Sequence, residues 1–410
     1  MYLFYFLAGL GIWLGLQSLR GGLRYRAYVR KETARPLADF TPFVSVIAPN
    51  RGSDAGLREN VAALLNQNYP VYEILFVVDR AEDPGAKLIE EVSATQVDSA
   101  RVMSRSIVAG AASDCGQKVH NLRVAVGETD AKCQILVFVD TDARPAANWL
   151  REIVAPLADE NLGAVTGYRW FVPEKGGLAS RLRSVWNASV ASALGAARDK
   201  NFCWGGSTAI RCSTFERLNI PERWRGSVSD DFVITRVLKE AKLPIHFTPS
   251  CLVPAIGDCD FHELFEFTTR QIKITRVYAP HLWKFVLLGG SLFVPTFFGG
   301  SLLVLARASL GLSFIVPLAL LCMIFLLGAA KGFVRWQAVM IPLAKYRREL
   351  WRDLAAQILL WPFASLLYLY NAIAAGLSRR IQWRGITYEL KSPTEAVIIS
   401  RGSNSMSDVK

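Results

Sequence analysis

The sequence predicts an α/β domain built on a mostly parallel sheet and carried on apolar helices near both ends of the chain. Three observations predict it. Between residues 42 and 250, short β-branched runs alternate with amphipathic helical stretches; uncharged runs of membrane-spanning length flank that region; and 51% of the 410 residues are hydrophobic. A disordered or wholly soluble chain is excluded by that fraction. The excess of 47 Lys and Arg over 35 Asp and Glu gives +12, which suits nucleic acid, anionic lipid or a phosphorylated substrate. The basic residues cluster beside the apolar segments, so membrane is favoured and nucleic acid is not. Seven Cys without a CxxC pair and four His speak against a disulfide framework or structural zinc, and for reduced, buried thiols.

Residues 1–20 form the first element, because positions 2–19 carry no charge and are long enough to cross roughly 30 Å of hydrocarbon. No basic segment precedes them and no small-residue cleavage site follows, so an anchor is expected rather than a signal peptide. The basic linker 21–41, with Arg20 just before it and Arg24, Arg26, Arg30 and Lys31 within it, belongs on the cytoplasmic side. Within 42–260, strands are expected at 44–49, 73–79, 134–140 and 163–171. A helix carrying Leu57, Val61, Leu64 and Leu65, stopped by Pro70, separates the first two. Strand, helix and strand in repetition mean a parallel sheet covered on both faces.

An interfacial amphipathic segment is expected at 261–284, where aromatic and aliphatic residues mix with Arg270, Lys273, Arg276 and Lys284. Apolar stretches at 285–306, 309–330 and 353–377 follow, and a polar tail closes the chain at 378–410. Both the basic loop after residue 330 and the basic SRRIQWRG after residue 377 call for the cytoplasm, which three full C-terminal crossings cannot satisfy. A re-entrant pair at Trp361-Pro362 would restore parity, so three crossings and four both stand.

In such sheets ligands sit beyond the carboxyl ends of the strands. Asp79 ends one strand and Asp140 another, with Asp142 two residues on. A lone Asp there serves as a turn or helix cap. Asp140 and Asp142, however, project to the same side of an extended segment and can hold one hard cation, Mg²⁺ or Mn²⁺, that keeps sites for nucleotide phosphates. Lys118 in GQKVHNL is either a surface lysine or an ammonium within reach of a pyrophosphate. Gly205 in FCWGGSTA marks a turn or a backbone approached closely by a ligand. Asp230 and Asp231 open an apolar helical run; one can cap it, and two like charges together raise a pKa in the way a general base requires.

The motifs VSVIAPNRG, NQNYPVYEILFVVD, GQKVHNL, VDTDARP, VTGYRW, WGGSTAIR and SDDF, in this order, resemble family 2 glycosyltransferases of GT-A fold, most closely the ceramide-glucosyltransferase-like branch. The resemblance runs from about Val44 to Arg276. It implies a UDP-sugar donor with Asp79 at the nucleoside, Lys118 near the diphosphate, the metal on Asp140 and Asp142, and Asp231 as catalytic base with Asp230 beside it. The family's (R or Q)xxRW motif corresponds to RQIKITR at 270–276: Arg270 fits, Lys273 replaces Arg, Ile274 replaces Trp, and Arg276 can take over the anion contact. Lys lacks the guanidinium fork and Ile the aromatic platform.

The implied activity is inverting transfer of a hexose, glucose foremost, to the hydroxyl of a membrane lipid such as ceramide, by a multi-pass membrane protein with a cytoplasmic catalytic domain. A processive polysaccharide synthase of the same family is the alternative, and a noncatalytic nucleotide-sugar receptor a third reading. The segment WRGITYEL at 383–390 also occurs in membrane enzymes of family 2.

Overall fold

The computed structural model describes residues 1–96 and 101–402. Two compact units divide the chain: a helical unit of 1–31, 171–193 and 257–378, and a sheet unit of 32–170, 194–256 and 379–410.

Among the described residues the main sheet of the sheet unit has seven strands, β1 (Val44–Pro49), β2 (Tyr72–Val78), β3 (Val102–Val108), β4 (Ile135–Val139), β5 (Ala164–Val172), β6 (Ser207–Arg211) and β7 (Ile245–Ile256), in the order β3-β2-β1-β4-β6-β5-β7. All four expected strands form. β3, β6 and β7 are additional to the four strands the sequence predicts. β3 and β7 lie at the two edges, where β3 is largely exposed and β7 tolerates Pro249 and Pro254 inside a strand. β1, β2, β3 and β4 pair in parallel, whereas β4 with β6 and β5 with β6 pair antiparallel, so the sheet is mixed rather than uniform. Every residue of β2 and β4 is buried, as expected of central strands covered on both faces. The chain moves outward from β1 to β3 and then returns to β4 on the other side of β1, which puts the topological switch between β1 and β4.

Residues 378–410 are not a plain polar tail. Through residue 401 they form a second, antiparallel sheet of β8 (Arg380–Trp383), β9 (Ile386–Ser392) and β10 (Glu395–Arg401), while residues 403–410 lie outside the described residues. Alternation in ITYEL buries Ile386, Tyr388 and Leu390, a period-two pattern that marks a half-buried strand. Tyr388 accepts a hydrogen bond from the Gln117 backbone N–H at 3.2 Å, and Arg401 donates to Gln117 Oε1 at 3.2 Å, so β9 and β10 are fastened to the main sheet's own loops.

One helix runs from Tyr2 to Thr33 and takes in residues 21–33 of the expected basic linker, while residues 34–41 lie outside it. The segment expected to be interfacial forms the helix Phe261–Tyr278, opened by a capping box in which Asp260 and Glu263 each accept from the other's backbone N–H. Pro280 starts the next helix, which continues to Ser309 through a π-helical turn at Pro295–Gly299, where proline removes a backbone donor. Helices Tyr2–Thr33, Pro280–Ser309 and Ile315–Val339 are long and apolar enough to cross a membrane. The stretch expected at 353–377 breaks into Arg347–Leu359 and Trp361–Leu377, and the segments on either side of the break are bent by 71°. Pro362, in the first turn of the second helix, accounts for that break. Leu178–Ala191, which the sequence assigns to the 42–260 domain, packs instead in the core of the helical unit, with Trp186 stacked on Tyr368 at 4.7 Å.

Candidate active site

Asp140 follows β4, Asp79 follows β2 and Arg51 lies just past β1, so all three stand at the carboxyl edge around the switch point. β6 runs the opposite way, with Ser207 opposite Val139, and therefore brings the Gly205-Gly206 turn to that edge as well. Lys118 sits in the first turn of the helix Gln117–Gly127. A cation is unfavourable at the positive end of a helix dipole. Two carboxylates offset that cost: Lys118 Nζ is 2.7 Å from Asp140 Oδ1 and 3.3 Å from Asp230 Oδ1. Burial works against the ammonium, but Asp140, Asp230 and Asp231 together raise its pKa above the ordinary value.

Asp230 and Asp231 open the helix Asp230–Glu240 and differ sharply in surroundings. The side chain of Asp230 is buried, and burial, with the neighbouring Asp231 and Asp140 charges, pushes it up to about 6 against the opposing pull of Lys118. Its Oδ2 has no hydrogen-bond partner among the described residues. Asp231 is half-buried; its Oδ1 accepts from the Ser229 hydroxyl and from the Phe232 N–H at 2.8 Å, and its Oδ2 faces the Gly205 N–H at 3.4 Å. Gly205 gives these side chains room: a Cβ there would stand 2.2 Å from Asp230 Oδ2 and 2.9 Å from Lys118 Nζ and would displace both.

Burial raises the Asp140 carboxyl, but Lys118, Arg169 and Arg384 more than offset this and leave its pKa lowered. Asp142 opens to solvent, and desolvation within the cleft, with the Asp140 charge added, raises it. Among the described residues no group of three or more His, Cys, Asp or Glu could hold a metal ion alone. A pair of carboxylates whose mutual repulsion raises one pKa does fit a divalent cation that takes its other ligands from water and phosphates. Thr141 between them is fixed by donating to Asn50 Oδ1 at 2.9 Å.

Asp79 accepts from Arg51 Nη1 at 2.6 Å, and its buried Oδ1 has no partner among the described residues, an acceptor left for a ligand. Asp83, buried, accepts from the Gly52 and Gly85 N–H groups at 2.8–3.0 Å and so holds the loop after β1 in place. Arg270, Lys273 and Arg276 lie on Phe261–Tyr278 in the helical unit. There Arg270 pairs with Glu266 at 3.1 Å, and Arg276 donates to the Ala375 carbonyl and lies 5.2 Å from the Trp283 ring centre.

Two arginines of this edge went unread in the sequence. Arg384, in the turn between β8 and β9, forks onto Asp54, and its charge reaches Asp140 and Asp142; the hydrogen bond to Asp54 chiefly raises its pKa. Arg169 lies over the Trp204 ring at 5.5 Å and also acts on both carboxylates. Their signal was an arginine inside each of two quoted motifs, VTGYRW and WRGITYEL, and only the fold brings them to the acids.

The α/β sheet thus gathers acidic and basic side chains around its switch point. A sequence model of glycosyl transferase family 21 matches residues 11–396, and the chain belongs to that family. It is a sugar-nucleotide-dependent glycosyltransferase, and the resemblance to family 2 is thereby moved to family 21, itself of GT-A type and similar to family 2. Glycosyltransferase AglE of Haloferax volcanii is 28% identical over 141 residues, 34% of this chain and 43% of that protein, so the match spans less than half of the relative. Among solved structures, the mannosyltransferase PcManGT from Pyrobaculum calidifontis, in complex with GDP-Man and Mn²⁺, is 18% identical over 90% of this chain and 98% of its own, with a TM-score of 0.46. Glucosyl-3-phosphoglycerate synthase from Mycobacterium tuberculosis, with Mn²⁺ and UDP-glucose, is 16% identical over 57% and 78%, with a TM-score of 0.34.

Proposed function

We propose that this enzyme transfers a hexose, glucose foremost, from a UDP-sugar to the hydroxyl of a membrane lipid, ceramide or a similar one, with inversion to a β-glycolipid, as in the ceramide glucosyltransferase branch. The observation that carries the reading is the linked set Asp140, Lys118, Asp230, Gly205 and Asp231 at one sheet edge, in a family 21 chain with three helices of membrane-spanning length. The basic flanks put the sheet unit on the cytoplasmic side of a multi-pass protein.

Asp231 is the base. It is the more exposed member of the pair, so an acceptor hydroxyl can reach it, and it takes the proton as the bond to the anomeric carbon forms. Asp230 is enclosed and acts on Lys118, which it holds with Asp140. A divalent cation, Mg²⁺ or Mn²⁺, on Asp140 and Asp142 supplies neutralising charge for the diphosphate when bound. Arg384 and Arg169 add fixed positive charge where the departing UDP gains a negative one. Asp79, through its open Oδ1, accepts from the nucleoside. Arg270, Lys273 and Arg276 are proposed as cations for the diphosphate, a role that rests on the motif alone.

The test is incubation of purified protein with a panel of UDP-sugars and extracted lipids, followed by mass spectrometry. One sugar on a lipid supports the reading. A growing polymer replaces it with a polysaccharide synthase, and nucleotide binding without UDP release replaces it with a receptor.

A further inference from the structure

The helical unit contains a partly open cavity of about 290 Å³, lined by none of the residues assigned to the transfer reaction. It is near the lower bound of small-molecule sites, roughly 300 Å³. Its walls are graded. Helices Tyr2–Thr33 and Ile315–Val339 run side by side in the same direction: a Cβ at Gly11 would meet Ile324, one at Gly15 would meet Leu327, and one at Gly22 would meet Lys331. The order of residues along one helix is therefore the order along the other. Toward the first end the lining is apolar, with Leu7, Leu10, Phe297 and Ile324; toward the second it is Ser18, Lys331 and Arg335. From Leu7 to Ser18 the axial distance is about 16 Å at 1.5 Å per residue.

The charged end is short of an anion. Lys331 donates to Ser18 Oγ at 2.7 Å, a neutral partner. Arg335 is only 4% exposed, and its Nε has no hydrogen-bond partner among the described residues. Trp361 Nε1, on another wall, has none either. No Asp or Glu is among the residues lining the cavity. Lys331 and Arg335 are four residues apart on one helix, where like charges repel, and burying them without a counter-charge is costly.

We propose that the cavity binds a phosphate-bearing lipid, its phosphate between Lys331 and Arg335 and one acyl chain laid along the apolar end. Inorganic phosphate would satisfy the cations and leave the apolar end unfilled. A neutral lipid would do the reverse. The polar end coincides with the end of the first helix that carries Arg20, Arg24 and Arg26, the level at which a bilayer presents headgroups. The inference rests on the membrane reading of these helices and not on the identity of the sugar acceptor.

The experiment uses the full chain purified in mild detergent. Native mass spectrometry and lipid-phosphorus assay should find about one phospholipid retained per chain. After delipidation, phosphatidylglycerol should rebind and raise the melting temperature, whereas diacylglycerol and inorganic phosphate should not. Lys331→Gln and Arg335→Gln should each lower retention at least tenfold, and Leu10→Trp should lower it by filling the apolar end with both charges intact. Rebinding of diacylglycerol as tight as that of phosphatidylglycerol overturns the proposal, and this comparison needs only the wild-type chain if a variant fails to fold. Stabilisation by inorganic phosphate equal to that by the lipid overturns it too. A chain stripped from membranes by alkaline carbonate overturns the membrane reading itself; one retained there without lipid phosphorus overturns this proposal alone.

Discussion

Arg384 lays its guanidinium across both carboxylate oxygens of Asp54, with Nη1 2.6 Å from Oδ1, and so ties the turn between β8 and β9 to the loop after β1. The pair is 44% and 41% exposed, and exposed ion pairs contribute only about 0.2–1 kcal/mol. Its value for folding is therefore small, while its charge acts on Asp140 and Asp142. Arg384→Ala should shift the melting temperature by a few degrees at most and lower kcat roughly 10- to 100-fold, less than the roughly 100- to 1,000-fold lost with a donor in direct contact with the developing charge. Arg384→Lys should recover part of that rate. An equal loss of stability and activity would make the residue structural only.

Asp231→Asn removes the base and leaves its hydrogen-bonding shape. Donor binding, measured by calorimetry with UDP, should stay within about twofold, while transfer falls by roughly 10² to 10⁴, the usual contribution of general base catalysis. Asp230→Asn should act differently, by loosening Lys118, and should weaken UDP binding as well.

Asp142→Asn removes one member of the carboxylate pair proposed to hold the cation. Wild-type activity should vanish with a chelator and return with Mn²⁺ or Mg²⁺, and the variant should need a concentration at least tenfold higher for half-maximal activity. Full activity of the wild type in chelator would end the metal assignment.

Gly205→Ala would drive a methyl group into Asp230 and Lys118, 2.2 and 2.9 Å from where the Cβ must lie. Activity should fall at least 100-fold with the far-ultraviolet circular dichroism unchanged, because the clash is confined to the sheet edge.

Tyr388→Phe removes the acceptor of the buried Gln117 N–H. An unsatisfied buried donor costs about 1–3 kcal/mol, so the melting temperature should drop by several degrees. A shift of less than one degree would mean that the contact contributes nothing to the fold.

The sequence by itself determined the repeated strand and helix pattern, the acids that end β2 and β4, and the apolar helices, because each follows from local periodicity or from a residue's place at an element's end. The period-two signal of ITYEL was equally local, yet short and flanked by charge, and it read as tail. What only tertiary structure decided is which distant residues meet. That the charge of Arg384 reaches Asp140, the partner of Lys118, that β6 runs backward and delivers Gly205, and that Asp230 is enclosed while Asp231 is half-buried all depend on chain crossings. Adjacent letters in SDDF carry identical chemistry, and burial, a property of the surrounding fold, gives them different work.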